Sequence, residues 1–275
     1  MTNAQKKVIV ITGASSGIGK ATAIRLLNAD YIVYGAARRV EEMEDLKDLG
    51  GIPVKLDITK HDQISQFIEK VIEEQGKIDV LFNNAGFGLY GPVEETPLDL
   101  ARYQFEVNLF GHARMTQLVI PYMRERQSGL IINTSSVGGK IYTPFGAWYH
   151  ATKHAVEGWS DSLRLELKPF GINVVILEPG FIGTQFYNVV LDKVPKQSLD
   201  GPYSEAIKRM KETSQEMEED DFSPPSVVAD VVLKAINAKK PKTRYKAGKY
   251  AKLLIFIRKL FSDNRFDKLI TKRFM

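Results

Sequence analysis

The chain has 275 residues, 44% of them hydrophobic, no cysteine and a net charge of +5. That is enough apolar material for a substantial core. Disulfide and thiolate chemistry are excluded, and the longest strongly apolar run, Leu253-Leu-Ile-Phe-Ile257, falls far short of the roughly 20 residues that span a bilayer.

No internal repeat, linker or apolar leader stands out, so the expectation is one domain over residues 1–275 in the cytoplasm. Charge is uneven. Residues 240–275 hold twelve Lys or Arg against Asp263 and Asp267, a balance of +10 that leaves about −5 on the first 239 residues. This basic C-terminal extension is either a solvated face or a contact for an anionic membrane surface; no nucleic-acid partner is expected.

Lys7-Val-Ile-Val-Ile11 is a short β-branched run of the kind buried on both faces of a parallel sheet. It leads into Thr12-Gly-Ala-Ser-Ser-Gly-Ile-Gly-Lys20, and a helix then begins near Gly17 with Ala21, Ile24, Leu26 and Leu27 facing inward. In such a turn Gly13 permits the bend, Gly17 lets backbone approach a pyrophosphate, and Gly19 lets helix and strand pack closely. The first N–H groups of the helix then face an anion. Glycine-rich turns also serve as plain connections, so this one decides nothing alone. A nucleoside-triphosphate loop is excluded, because it needs Gly at position 14 and Ser or Thr after Gly-Lys, where Ala14 and Ala21 stand.

Tyr31 to Ala37 reads as a second strand ending at Arg38-Arg39. An acidic residue at that strand end would take a ribose 2′-hydroxyl, whereas arginine accommodates a 2′-phosphate; the other reading is two exposed loop arginines. Ile52 to Asp57 is a third strand, Asp62 to Glu74 an amphipathic helix stopped by Gly76, and Ile78 to Phe82 a fourth strand running into Asn83-Asn-Ala-Gly86. Leu98 to Arg126 reads as one long helix carrying Asn108 among apolar neighbours. Leu130 to Ser136 is a fifth strand, Trp148 to Lys168 a helix, and Asn173 to Leu177 a sixth strand ending at Glu178-Pro-Gly180. Six strands alternating with helices predict an α/β fold, a doubly wound parallel sheet with helices on both faces. Periodicity fades over 185–226, which is a lid or a solvated helix pair. Val227 to Asn237 returns to helix, Thr243 to Ala247 is an edge strand, and Lys249 to Phe261 a further helix.

Tyr149-His-Ala-Thr-Lys153 sets a phenol and an ammonium one helical turn apart. Tyr245 and Lys249 repeat the spacing, so position carries the argument: the first pair opens a helix directly after the strand that delivers Ser136, on the sheet edge shared with Gly13 and Asn84. A Lys⁺ and a nicotinamide cation beside Tyr149 would favour its phenolate and make it a usable acid/base. Ser136 would hydrogen-bond the substrate oxygen, and Asn108 could hold a water joining Lys153 to solvent. No metal is required. His150 and His154 also lie one turn apart, but Ala151 stands where a zinc protease needs Glu. The serines lack a G-x-S-x-G elbow, which sets a hydrolase aside.

Together these residues resemble the short-chain dehydrogenase/reductase family. Thr12-Gly-x-x-x-Gly-x-Gly19 is similar to its cofactor turn, Asp57 to its adenine contact, Asn83-Asn-Ala-Gly86 to its fourth-strand motif, and Ser136 with Tyr149-x-x-x-Lys153 to its catalytic set. Pro179-Gly180 and Thr184 resemble the segment that holds the nicotinamide carboxamide. The resemblance implies a Rossmann-type domain that transfers hydride between C4 of a nicotinamide and a carbinol or carbonyl carbon. It implies Asn108, Ser136, Tyr149 and Lys153 as catalytic residues. The implied cofactor contacts are Gly13, Ser15, Ser16, Gly17, Ile18, Gly19, Arg38, Arg39, Asp57, Ile58, Asn84, Ala85, Gly86, Tyr149, Lys153, Pro179, Gly180, Ile182 and Thr184. Arg38 and Arg39 resemble the NADP-preferring members, and a homodimer or homotetramer through the Asn108 and Tyr149 helices is implied. Glu178 and the basic tail are similar to the branch handling steroids and retinoids. Phe87, Leu89, Tyr142, Phe145, Phe186 and Tyr187, with Ser136, would line the substrate pocket and suit an apolar alcohol or ketone. Two other classes stay open: an NADP-binding sensor without catalysis, against which an intact Ser136, Tyr149 and Lys153 argue, and a membrane-surface reductase tethered by the tail.

Overall fold

The first strand, β1 (Val8–Thr12), is buried along its whole length because its side chains alternate between two cores. Ile9 and Ile11 point into one, Val8 and Val10 into the other. The computed structural model describes residues 6–186, 190 and 194–274. Around β1 stand β2 (Ile32–Ala37), β3 (Ile52–Lys55), β4 (Val80–Asn83), β5 (Gly129–Thr134), β6 (Ile172–Pro179) and β7 (Arg244–Ala247), in the order β3-β2-β1-β4-β5-β6-β7. Every neighbouring pair is parallel. This is the expected doubly wound sheet, with β7 at its edge.

The helices are α1 (Gly17–Leu27), α2 (Glu44–Asp48), α3 (His61–Gln75), α4 (Leu98–Phe105), α5 (Gly111–Glu125), α6 (Ala147–Leu167), α7 (Ser204–Gln215), α8 (Pro225–Asn237), α9 (Ala251–Leu260) and α10 (Asp263–Phe274). On one face of the sheet Ala23 and Leu26 of α1 pack with Val228 and Val232 of α8. On the other, Ile64, Ile68 and Val71 of α3, Met115 and Val119 of α5, and Leu163 of α6 close the second core. Full burial of such a side chain is worth about 1.5–3 kcal/mol. The chain leaves β3 at one edge and returns beside β1 as β4, so a crevice opens at the carboxyl ends of β1 and β4, where open parallel sheets bind ligands.

The structure refines several expectations. In α1 Leu26 is buried in the core and Ile24 and Leu27 pack against it, as expected, while Ala21 is only half-buried and Thr22 and Ala23 are buried instead. The long helix over 98–126 is interrupted by a π turn at Glu106–Phe110, centred on the buried Asn108. The stretch 185–226 contains α7, and α10 follows α9 where no element was foreseen.

Candidate active site

The turn after β1 is shaped by backbone. Gly13 and Gly17 have φ of +70° and +54°, which side chains disfavour, and a Cβ on Gly13 would lie 2.8 Å from the Cα of Ala85. A Cβ on Gly19 would lie 2.2 Å from the carbonyl oxygen of Gly13, so this glycine sets the contact between helix and turn. Thr12 ties the turn to the end of β4, its hydroxyl accepting the backbone N–H groups of Asn84 (3.0 Å) and Ala85 (3.1 Å). Ser16, which precedes α1, makes no side-chain capping bond, and the first helical turn has no acidic residue. The helix's leading N–H groups have no partners within the helix, so this end suits an external anion. The cradle fits a dinucleotide pyrophosphate.

A cavity of about 820 Å³ runs from this cradle across the carboxyl edge of the sheet. Its wall includes Ser15, Ser16, Ile18, Arg38, Arg39, Asp57, Ile58, Asn84, Gly86, Pro179, Gly180, Ile182 and Thr184 from the expected contacts. Arg38 donates to the Tyr103 hydroxyl at 2.9 Å and Arg39 pairs with Glu42 at 3.0 Å. Asp57 accepts from the N–H and hydroxyl of Thr59, a local turn that fixes its carboxylate.

Ser136, Tyr149 and Lys153 line the same cavity. β5 ends just before Ser136, whose Oγ accepts the Gly138 N–H at 3.0 Å. Tyr149 and Lys153 lie one turn apart on α6, and both are buried. The Tyr149 ring is walled by Phe186 and Tyr90, with centroids 5.3 and 5.8 Å away. Burial pushes the phenol up to about 12, and a hydrogen bond with Ser136 only partly opposes this. In the protein by itself burial thus favours the protonated phenol; the expected phenolate needs the added charge of a bound nicotinamide cation. Lys153 donates to the Thr134 carbonyl at 2.8 Å. Its own burial pushes it down to about 8, with the Glu157 carboxylate one turn further on pulling the other way.

Asn108 does not line the cavity, and its amide is engaged elsewhere. Oδ1 accepts the Phe87 N–H (3.1 Å), while Nδ2 donates to the Phe87 carbonyl (3.0 Å) and the Thr152 hydroxyl (3.2 Å). The side chain thus pins the strand-end turn to α6.

A family model described as short chain dehydrogenase matches residues 7–194. The chain belongs to the short-chain dehydrogenase family. Across nearly its full length this chain is similar to a 3-ketodihydrosphingosine reductase of Bacteroides thetaiotaomicron, 37% identical over 91% of each chain. Its fold is similar to a crystal structure of a short-chain dehydrogenase from Streptomyces avermitilis, with a TM-score of 0.82, 32% identity, and coverage of 97% of this chain and 98% of that one. A Burkholderia phymatum short-chain dehydrogenase/reductase solved with NAD gives a TM-score of 0.78 at 25% identity over 94% of each chain; other similar structures were solved with NADP.

In this family member the expected substrate residues divide. Phe87 and Phe186 line the cavity; Leu89, Tyr142 and Phe145 do not, and Tyr187 lies outside the described residues. Leu89 is buried. Tyr142 instead packs on Phe266 and donates to Asp267 at 2.8 Å, fastening α10. Phe145 faces a separate cleft with Pro92 and Tyr203. Sequence reasoning missed Tyr90, His150 and Met210, which reach the wall from three distant segments. His150 bonds the Gly138 carbonyl through Nδ1 (2.9 Å), and its Nε2 accepts the Thr143 N–H (3.0 Å), so it braces the loop before α6. The sequence marked it only through its spacing from His154, whereas its partners are two backbone groups and the Thr143 hydroxyl (3.1 Å). Among the described residues no group of three metal-ligating side chains occurs.

Proposed function

We propose that the protein is an NADP-dependent reductase of hydrophobic ketones or aldehydes, or equally a dehydrogenase of the matching alcohols. The observation that carries this reading is the grouping of Ser136, Tyr149 and Lys153 in one cavity with the glycine cradle and Arg38. A reduced nicotinamide dinucleotide, when bound, supplies the hydride that adds to the carbonyl carbon. The chain's own residues do the rest. The Ser136 hydroxyl donates to the substrate oxygen and holds it against Tyr149. The Tyr149 O–H gives its proton to that oxygen as charge develops on it. Lys153, anchored to Thr134, carries positive charge beside the phenol and stabilises the phenolate left behind.

Arg38 and Arg39, at the end of β2 where no carboxylate stands, support a 2′-phosphate and hence NADP over NAD. Phe87, Phe186, Val190 and Met210 give the substrate end apolar walls, supporting a nonpolar substrate. α7, which brings Met210 and Ser214, supports the lid reading of 185–226.

The test is titration of the purified protein with NADPH and NADH, followed by NADPH oxidation against aldehydes, ketones, long-chain 3-keto compounds and steroids. Tighter NADPH binding with turnover of apolar members is the expected result. Binding without turnover of any member would favour a sensor, and preference for small charged substrates would overturn the apolar pocket.

A further inference from the structure

We infer that the outer face of α9 docks on the headgroup layer of an anionic lipid bilayer. The helix is apolar on two opposite sides. Inward, Ala251 and Ile255 are buried in a cluster with Val137, Ile141 and Phe266. Outward, Leu253, Phe256 and Leu260 are 52%, 61% and 65% exposed, and their spacing of i, i+3 and i+7 makes them one stripe. Single exposed apolar residues are ordinary on a protein surface; three aligned along one helix, on the side that folding does not use, form a continuous contact.

The charge around the stripe selects its occupant. Lys252 and Lys259, seven residues apart and both exposed, run as a parallel row beside Leu253 and Leu260. They belong to the segment that carries +10 over residues 240–275. A second copy of the chain would bring the same lysine row against this one, which is repulsive. Anionic headgroups attract the ammonium groups while the lysine stems and the apolar stripe lie along the acyl boundary. Among the described residues no helix is long and apolar enough to cross a membrane, so the contact is peripheral. The same helix pair walls the cavity through Leu254 and Ile270, which places one side of the active site against the docked face.

The full-length chain is mixed with vesicles of phosphatidylcholine alone or of phosphatidylcholine with phosphatidylglycerol, pelleted, and quantified. Binding to the anionic vesicles that weakens with added salt is expected. Both Leu253→Ser/Phe256→Ser/Leu260→Ser and Lys252→Glu/Lys259→Glu should lower the partition on the order of tenfold. None of these side chains enters the cavity, and circular dichroism with thermal unfolding checks that each variant folds. Pelleting no greater with anionic than with neutral vesicles overturns the proposal, as does equal pelleting of wild type and folded variants. A wild-type dimer seen by light scattering without vesicles, and lost in the apolar variant, would assign the stripe to self-association and overturn it as well.

Discussion

Burial holds the Tyr149 phenol near a pKa of about 12, so at neutral pH it carries a proton to give, while the oxidative direction needs a phenolate that ligand charge must favour. Under the proposed mechanism, reduction is flat across neutral pH and oxidation climbs with pH; parallel profiles in the two directions would contradict it. Tyr149→Phe removes the proton and should lower kcat by about 10²–10⁴-fold with NADPH affinity unchanged, read by steady-state kinetics beside a fluorescence titration. Arg38→Ala should weaken NADPH by roughly 10- to 100-fold, the loss of one or two charge-assisted bonds, and leave NADH nearly unaffected. The grouping of Ser136, Tyr149 and Lys153 was legible because strand end and helix start are local patterns. The protonation state was not, since the rings that dry the phenol, Tyr90 and Phe186, come from separate loops. Tyr142 misled for the same reason: an aromatic near the site looks alike whether it faces a cavity or Phe266.

At the π turn of Glu106–Phe110 the chain enters α5 with His112 aimed back at the site. His112 is fully buried, its Nε2–H donating to the Ala85 carbonyl at 2.7 Å. Burial, aided by the Lys153 charge and resisted by the Ala85 bond, pushes its pKa down to about 3. The unfolded chain takes up this proton as pH falls through about 6.5, and the folded one cannot until about pH 3, so stability is lost across that window. Between pH 7.5 and 5.0 this one group should remove about 2 kcal/mol of stability. Urea unfolding at the two pH values should show His112→Gln less stable at pH 7.5 and the gap closing at pH 5.0; a constant gap would remove His112 from the acid response. The alternation of strands and helices was legible because each element is short and strongly patterned. The π turn was not, as its one extra residue per turn barely disturbs the apolar spacing around Asn108. Nor was α10, whose stretch is charged on most sides and in which Phe266 is the one fully buried side chain among the described residues.

Across the whole molecule, the edge strand β7 is fastened by charge. Arg244 reaches Glu157 (3.0 Å) and Asp161 (2.6 Å) on α6 and Glu178 (3.4 Å) on β6, and Lys140 adds a second cation on Glu157 at 2.6 Å. Glu157 and Glu178 are almost wholly buried, and desolvation, then the Glu157 charge, pushes Glu178 up. Arg244→Met would leave the buried Glu178 without its ion-pair partner and Glu157 with Lys140 alone, and should cost about 3 kcal/mol in urea unfolding; a cost near that of an exposed ion pair would mean Lys140 suffices. This network was invisible in the sequence, since Arg244 and its partner Glu157 lie 87 positions apart. Because the cavity draws its wall from Thr12 through Ile270, the sheet can begin to assemble during synthesis, but the wall of the pocket is completed only when the ribosome has delivered α10. A ligand that recognises only the folded state stabilises it by mass action. Here that help reaches the finished chain alone, and the nascent one must hold its half-built sheet together without it.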